Sequence, residues 1–244
     1  MTRTLVLGPS LGTSADACWG ACAALLRDEL DGFDVVAWEL PGHGADRGPA
    51  PEALTIADLA ARVLDRVEGP FLYAGDSVGG LVGLQLLLDA PERVTGAVLC
   101  CTGARIGDDD LWRERVAQVR ASGTASLVTE TADRWFGAGF VEREPARASA
   151  LLHALRDADD ESYVAVCGAI AAFDVRDRLA EITTPVVAVA GAEDPTAPPA
   201  VLAEIADGVR RGRLVVLDGV GHQAPAEQPE EVARIIRALA KETA

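Results

Sequence analysis

A serine flanked by glycines offers the clearest chemistry in this chain of 244 residues. Residues 75–79 read Gly-Asp-Ser-Val-Gly, with Ser77 at the centre of a Gly-x-Ser-x-Gly pattern. An apolar run at 70–74 precedes the pattern and a helix-like run at 78–88 follows it, which predicts a sharp strand-to-helix turn. A side chain at either glycine would collide with the neighbouring strand and helix. We therefore expect the turn to lift Ser77 above a sheet edge as a nucleophile.

A serine hydroxyl needs a base to take its proton, and the chain contains three histidines. His222 follows the last predicted strand and precedes the last predicted helix, so it is expected at the same sheet edge as Ser77. His43 lies in an early Pro-Gly-His-Gly loop, where it is expected to shape the turn. His153 lies in a helical segment and is expected to line a pocket at most. His222 is therefore the predicted base.

The order serine, acid, histidine along the chain predicts an acid after the strand at 185–190. Two carboxylates, Glu193 and Asp194, follow that strand, and Asp218 follows the next one. The acid would hold the imidazole in its useful tautomer and stabilise imidazolium as it forms. Asp194 is preferred because of the family pattern described below, with Glu193 in reserve, and Asp218 is expected to be a capping residue.

A tetrahedral intermediate also needs two backbone N–H donors for its oxyanion. The residue after the nucleophile, Val78, supplies the first. The loop after the first central strand, residues 8–13, should supply the second. Pro9 is excluded because it has no N–H, and Leu11 is the predicted donor.

The hydrophobic pattern predicts the strands and helices that could position these residues. Short β-rich runs alternate with longer amphipathic runs along the chain. The resulting fold class is α/β, and the elbow indicates an α/β-hydrolase fold: a mostly parallel central sheet with helices on both faces. Predicted strands are 4–7, 34–40, 70–74, 94–101, 185–190 and 213–217, and predicted helices are 17–30, 56–67, 78–88, 200–207 and 229–240.

The strand pattern stops between residues 103 and 184. Helical segments are predicted there at 110–121, 124–135, 144–156 and 162–172. Ligands bind at the carboxyl ends of the strands in open α/β sheets, so we expect this insertion to cover that edge. The predicted organisation is a core of residues 1–103 and 184–244 with a helical cap of residues 104–183.

Composition and charge limit the classes of partner that we expect this protein to bind. A net charge of −16 argues against nucleic acid, because phosphate binding needs a basic stripe. No apolar run approaches the roughly 20 residues that span a bilayer, and no leader is expected at the start. Five scattered cysteines lack metal-ligand spacing and favour reduced thiols. We expect a cytoplasmic protein that binds a small molecule, with no metal, cofactor or membrane partner.

Segments beyond the elbow resemble the 3-oxoadipate enol-lactonase family of the β-ketoadipate pathway. The S-L-G-T loop at 10–13 and the R-W-F and F-D-x-R stretches of the cap are more specific than the elbow itself. The resemblance covers nearly the whole chain, through residues 7–13, Trp19, 40–44, 75–80, 90–94, 133–136, 173–177, 191–198 and 227–229.

This resemblance implies a serine hydrolase of aromatic catabolism that opens a small carboxylate-bearing enol-lactone through an acyl-enzyme, without a cofactor. The substrate carboxylate would need a cation inside an acidic protein. Arg134, beside Trp135, is the first candidate because guanidinium binds carboxylates bidentately. The alternative for Arg134 is a solvated residue on the cap surface. We also expect a four-helix cap whose Trp135 faces the Ser77 hydroxyl across an apolar pocket.

Two features depart from the family pattern. The chain starts at the first central strand, without the antiparallel hairpin that usually opens the family. Asp76 replaces an uncharged residue beside the nucleophile. We expect its carboxylate either to favour imidazolium at His222 or to point into solvent.

Other readings of the same residues stay open. A carboxylesterase, a different lactonase or a cofactor-free perhydrolase would use the same fold and triad, because a fold does not fix its substrate. A non-catalytic ligand-binding or scaffold protein is a further alternative. The complete serine, acid and histidine set argues against it.

Overall fold

Six parallel strands form a single sheet in the order β2-β1-β3-β4-β5-β6. The computed structural model describes residues 3–30, 32–51 and 53–243. Every residue of the third and fifth strands is buried, which accounts for their uninterrupted apolar sequences. The strands are β1 (Arg3–Gly8), β2 (Phe33–Ala37), β3 (Phe71–Asp76), β4 (Val94–Cys100), β5 (Val186–Gly191) and β6 (Gly212–Leu217).

Helices connect the strands and cover the sheet. Outside the β4–β5 connection they are α1 (Ala15–Glu29), α2 (Ile56–Arg66), α3 (Val78–Asp89), α9 (Pro199–Gly208), α10 (Ala224–Glu227) and α11 (Pro229–Glu242). The chain adds β2 on one side of β1 and all later strands on the other side. Because such crossovers are right-handed, α1 lies on one face of the sheet and α2, α3 and α9 lie on the other. Helix α11 packs against α1 and completes its face.

The strand order reverses direction between β1 and β3. At such a switch point the loops after the two strands diverge to opposite faces and leave a crevice at the carboxyl edge of the sheet. The loop after β1 contains Leu11 and the turn after β3 contains Ser77. The topology thus brings the predicted nucleophile and one predicted oxyanion donor to this crevice.

The connection from β4 to β5 is helical, as the sequence predicts, but its details differ. Its α-helices are α4 (Asp109–Ser122), α5 (Val128–Trp135), α6 (Phe140–Arg143), α7 (Pro145–Arg156) and α8 (Asp160–Ala171). The helix predicted at 124–135 opens with a 3₁₀ turn, Thr124–Leu127, and the four-residue α6 was not predicted. The cap therefore contains five α-helices in the described part of the chain, where four were expected.

Strand β2 is shorter than its predicted span of 34–40. It is an edge strand that pairs only with β1, and its pairing stops at Ala37. Beyond Trp38 the Glu39 carboxylate accepts a hydrogen bond from the N–H of Ala15 at 2.8 Å, and the chain turns away. The apolar residues Trp38 and Leu40 are buried outside the strand, and this burial made the predicted strand too long.

Across the described residues, none of the helices combines the length and the apolar character that a membrane span would need.

Candidate active site

The turn from β3 into α3 holds Ser77 in a conformation that few residues adopt. Its φ of 52° and ψ of −115° lie outside the regions favoured by residues with side chains. A Cβ on Gly75 would lie 2.3 Å from the carbonyl oxygen of Gly79, and one on Gly79 would lie 2.4 Å from that of Gly8. The glycines therefore allow the close packing that this strained turn needs.

Hydrogen bonds from the next strand fix the strained residue. The N–H of Ser77 donates to the carbonyl oxygen of Cys100 at 2.9 Å, and the hydroxyl of Thr102 donates to the carbonyl oxygen of Ser77 at 2.7 Å. Both backbone groups of the serine are thereby satisfied by β4 and the loop that follows it. Its side chain remains free to point away from the sheet.

The three predicted triad residues meet at this edge. Nε2 of His222 lies 3.0 Å from Oγ of Ser77, and Nδ1 of His222 lies 2.7 Å from Oδ2 of Asp194. The exposed fractions of Ser77, Asp194 and His222 are 6%, 3% and 3%. This geometry lets an imidazole accept the serine proton at one nitrogen while a carboxylate orients it at the other.

Asp194 is held as a carboxylate by its surroundings. Its Oδ1 accepts hydrogen bonds from the N–H groups of Thr196 at 2.8 Å and Ala197 at 3.1 Å. Burial by itself would raise the pKa of Asp194, but His222 and these two N–H donors outweigh burial and hold that pKa below its ordinary value. An ionised acid at this position is what stabilisation of imidazolium requires.

The other candidates for the acid and the base are not part of this hydrogen-bonded set. The Glu193 side chain accepts a hydrogen bond from the N–H of Ala138 at 2.7 Å, and Asp218 is exposed after β6. His43 is buried, with Nδ1 2.8 Å from the carbonyl oxygen of Pro41 in its own turn, and His153 is exposed on α7.

Of the two predicted oxyanion donors, Val78 directly follows Ser77 and Leu11 lines the same cavity as Ser77. No hydrogen bond to another described residue involves the N–H of Leu11 or of Val78. The N–H of Gly79 donates to the carbonyl oxygen of Pro9 at 3.1 Å and holds the two segments together. Ser10 also faces the site, and the Gln223 side chain donates to its hydroxyl at 3.2 Å.

A cavity of about 330 Å³ opens above the serine. Ser77 and His222 form part of its floor, and Arg134 and Trp135 of the cap line it as well. Trp135 is buried, whereas the Arg134 side chain keeps 35% of its surface exposed. Further cap residues in the lining are Ile106, Gly107, Leu111, Trp112, Arg115, Thr131, Tyr163 and Ile170.

Arg115 is a second cation in this cavity that the sequence reasoning missed. Its Nη1 lies 2.7 Å from Oε1 of Glu130, and Nη2 of Arg134 lies 3.5 Å from the same oxygen. Burial first, and then the neighbouring Arg115, lower the pKa of Arg134, while Glu130 opposes the shift. Two guanidinium groups therefore share one carboxylate and leave a net positive charge in the cavity. The buried positions Trp112, Arg115 and Val119 share one face of α4, a helical spacing that could have indicated Arg115.

Of the two roles expected for Asp76, the one in which its side chain points into solvent is wrong. Its side chain is fully buried, and neither carboxyl oxygen has a hydrogen-bond partner among the described residues. Burial, reinforced by Asp194 and Glu227, raises the pKa of Asp76 well above its ordinary value. Strand β3 lies at the centre of the sheet and is buried on both faces, so the side chain cannot reach solvent. Burial thus favours the neutral, protonated form of the Asp76 carboxyl over the charged one.

Known proteins resemble this chain over nearly its whole length. Residues 5–235 match the model of the alpha/beta hydrolase family. 3-Oxoadipate enol-lactonase 2 of Acinetobacter baylyi is 32% identical over 241 residues, which cover 97% of this chain and 88% of that protein. 3-Oxoadipate enol-lactonase 1 of the same organism is 30% identical over 247 residues, with coverage of 97% and 88%.

A solved structure agrees with these sequence matches. The enol-lactonase from Burkholderia xenovorans LB400 superposes with a TM-score of 0.93 and 29% identity, over 99% of this chain and 92% of that one. The predicted fold and the predicted family are both confirmed. The chain belongs to the 3-oxoadipate enol-lactonase family of α/β-hydrolases.

Proposed function

We propose that this ester or lactone hydrolase opens a small carboxylate-bearing enol-lactone of the 3-oxoadipate type through an acyl-enzyme. The observation that carries the proposal is the pair Arg115 and Arg134, which both line the cavity above Ser77 and share the carboxylate of Glu130. Two like charges that are partly removed from water repel each other, and an anion bound beside them lowers this electrostatic energy. The cavity therefore favours a substrate with a carboxylate arm. The relatives named enol-lactonase make the lactone ring the favoured electrophile.

The first half-reaction would open the ring. Ser77 Oγ attacks the lactone carbonyl carbon while His222 takes the hydroxyl proton. Leu11 and Val78 N–H groups stabilise the oxyanion. The intermediate then collapses, the ring C–O bond breaks, and the enol oxygen leaves as an enolate. His222 returns its proton to this product end, which tautomerises to the ketone.

The second half-reaction would release the acid. His222 takes a proton from a water molecule, and the resulting hydroxide attacks the acyl carbon on Ser77. The bond between the acyl carbon and Oγ breaks, and His222 returns the proton to Oγ. Asp194 stabilises the imidazolium in both halves because its own pKa is held low. The proposed reaction uses no metal or organic cofactor.

Substrate recognition would come from the cap. Arg134 would bind the carboxylate arm with a bidentate fork, while Arg115 adds positive charge behind it. Trp135 would pack on the apolar part of the ring and shield the ion pair from water. We include a cytoplasmic location in the proposal, since all five cysteines are buried and free.

Kinetics of Arg134→Ala test the substrate class. We expect KM for the enol-lactone to rise about 10- to 100-fold, the value of a lost hydrogen-bonded charge pair. Turnover of neutral p-nitrophenyl esters should stay nearly unchanged, and Arg134→Lys should recover only part of the loss. Arg113→Ala is the matched control, because Arg113 is an exposed cation on the same cap, paired with Asp110.

Two results would count against the proposal in different ways. Equal losses on the lactone and on neutral esters would mean that Arg134 supports the cap and does not bind the substrate carboxylate. Good turnover of neutral esters by the unmodified protein, without turnover of the lactone, would discard the lactonase assignment and leave an esterase.

A further inference from the structure

One carboxylate, Glu227 at the end of α10, binds backbone groups from two separate parts of the site. Its Oε1 accepts hydrogen bonds from the N–H groups of Gly221 at 3.0 Å and Gln223 at 3.2 Å, the two neighbours of His222. Its Oε2 accepts a hydrogen bond from the N–H of Gly137 at 2.7 Å, in the cap. The side chain therefore joins the loop that carries the predicted base to the segment that carries Trp135.

The same two segments also touch through their backbones. The N–H of His222 donates to the carbonyl oxygen of Trp135 at 2.8 Å. A Cβ on Gly221 would lie 2.6 Å from that oxygen, and one on Gly137 would lie 2.4 Å from the carbonyl oxygen of Gly219. The two segments therefore pack backbone against backbone, with no space for a side chain at either glycine.

A carboxylate suits this position for a physical reason. Loop N–H groups removed from water need acceptors, and an ionised carboxylate offers about four acceptor sites on two oxygens. Burial raises the pKa of Glu227, whereas the three N–H donors and His222 oppose that rise. An amide at the same position would turn its NH₂ group toward at least one of the three donors, because it has only one acceptor oxygen.

We propose that Glu227 is a positioning residue that holds the His222 loop and the Trp135–Gly137 segment in fixed positions relative to each other. The base and the cap wall of the substrate cavity are then assembled together, and loss of this carboxylate displaces both. The inference rests on the proposed function, since it takes His222 as the base and Trp135 as part of the substrate cavity.

Glu227→Gln and Glu227→Ala test this role, with Glu230→Gln as the control on the exposed first turn of α11. Hydrolysis of p-nitrophenyl acetate is measured well below the unfolding temperature of each variant. We expect kcat to fall about 10- to 100-fold in Glu227→Gln, the usual cost of a small misplacement of a catalytic group. KM for this small ester should hardly change, and Glu227→Ala should lose more than Glu227→Gln.

Hydrogen–deuterium exchange supplies a readout that needs no substrate. In Glu227→Gln the amides of Gly137, Gly221 and Gln223 should lose protection together, while amides of the central strands stay protected. A kcat equal to that of Glu230→Gln would overturn the proposal even if the unfolding temperature fell. Loss of protection in the His222 loop alone, with Gly137 still protected, would overturn it as well.

The exchange result also separates this inference from the proposed function. If the unmodified protein opened no lactone and cleaved no ester, the proposed function would fail. The joint loss of protection would still decide whether Glu227 couples the two segments.

Discussion

Three buried polar side chains meet at the sheet edge, and each has a partner for its polar groups. His222 contacts Ser77 through one nitrogen and Asp194 through the other. Asp194 in addition accepts two backbone hydrogen bonds. A buried polar group without a partner costs about 1–3 kcal/mol, so this arrangement is stable only as a complete set.

Removal of either reacting group should therefore abolish most of the activity. We expect Ser77→Ala and His222→Ala each to lower kcat on p-nitrophenyl acetate by about 10⁴- to 10⁶-fold, and the double variant to lose little more. In the proposed mechanism the two residues act in one proton transfer, so the second change should remove nothing that still works. Steady-state kinetics of the three variants provide the measurement, and multiplied losses in the double variant would contradict a shared role.

The assignment of the acid has its own test. Asp194→Asn should lower kcat by about 10²- to 10⁴-fold, because the amide cannot stabilise imidazolium. Asp218→Asn should match the unmodified protein, since Asp218 is exposed and its backbone oxygen, not its carboxylate, binds Gln228. Greater damage from Asp218→Asn in the same assay would show that the acid is misassigned.

At the scale of elements, the elbow is a close approach of three segments. The Tyr73 hydroxyl donates to the carbonyl oxygen of Gly79 at 2.8 Å, and the N–H of Gly79 donates to that of Pro9 at 3.1 Å. Helix α3 is thereby tied both to β3 below it and to the loop after β1. The position of the Leu11 N–H depends on this packing.

Gly79→Ala should disturb that packing, whereas Gly168→Ala should not. The new Cβ at position 79 would meet the backbone of Gly8 at 2.4 Å, which we expect to cost about 1–3 kcal/mol of unfolding free energy. Displacement of the loop should also lower kcat by up to about 10²-fold, as loss of an oxyanion donor does. Position 168 in α8 is exposed, and a Cβ there would have no atom within 4 Å apart from the neighbouring backbone of its own helix, so alanine should stabilise the protein by about 0.5–1 kcal/mol.

Thermal unfolding and ester hydrolysis of the two glycine variants give the comparison. Unchanged activity in Gly79→Ala would contradict the expectation that this packing positions the Leu11 N–H for catalysis.

The free energy of unfolding of the whole molecule depends on pH through Asp76. Its folded-state pKa is raised by burial, while in the unfolded chain the carboxyl titrates near its ordinary value of about 3.9. The contribution of Asp76 to stability is fully present below that unfolded value. It is lost as the pH rises toward the folded pKa, by about 1.4 kcal/mol per pH unit, because unfolding then releases a proton.

Asp76→Asn should remove this dependence, since the amide stays neutral at every pH. We expect the variant to gain unfolding free energy relative to the unmodified protein as the pH rises from 5 to 8, as measured by urea or thermal unfolding at each pH. Comparing the two proteins at the same pH cancels the other titrating groups of this chain, whose net charge is −16. A difference that stays constant over that range would contradict a raised pKa.

Local chemistry in the sequence determined much of the fold and part of the site. The glycines at 75 and 79 predict the elbow because their missing side chains are a local requirement of the turn. Continuous apolar runs predict buried parallel strands, and most element ends lie within two residues of their predicted positions. Strand β2 ends three residues early, and the four-residue helices α6 and α10 were not predicted. The order serine, acid, histidine is likewise readable along the chain, but the choice of Asp194 over Glu193 and Asp218 rests on the family resemblance.

Tertiary packing determined the rest of the site. The pattern of residues along the chain does not fix the distance between two residues that are far apart in sequence. Ser77 and His222 are 145 positions apart and lie 3.0 Å from each other only when β3 and β6 share one sheet. The orientation of α4 over the sheet turns Arg115 into the cavity, and the full burial of β3 shields Asp76 from bulk solvent. Glu227 contacts two separate segments because of the place where the cap packs on the core. Such contacts depend on tertiary packing, which the pattern of residues alone leaves undetermined.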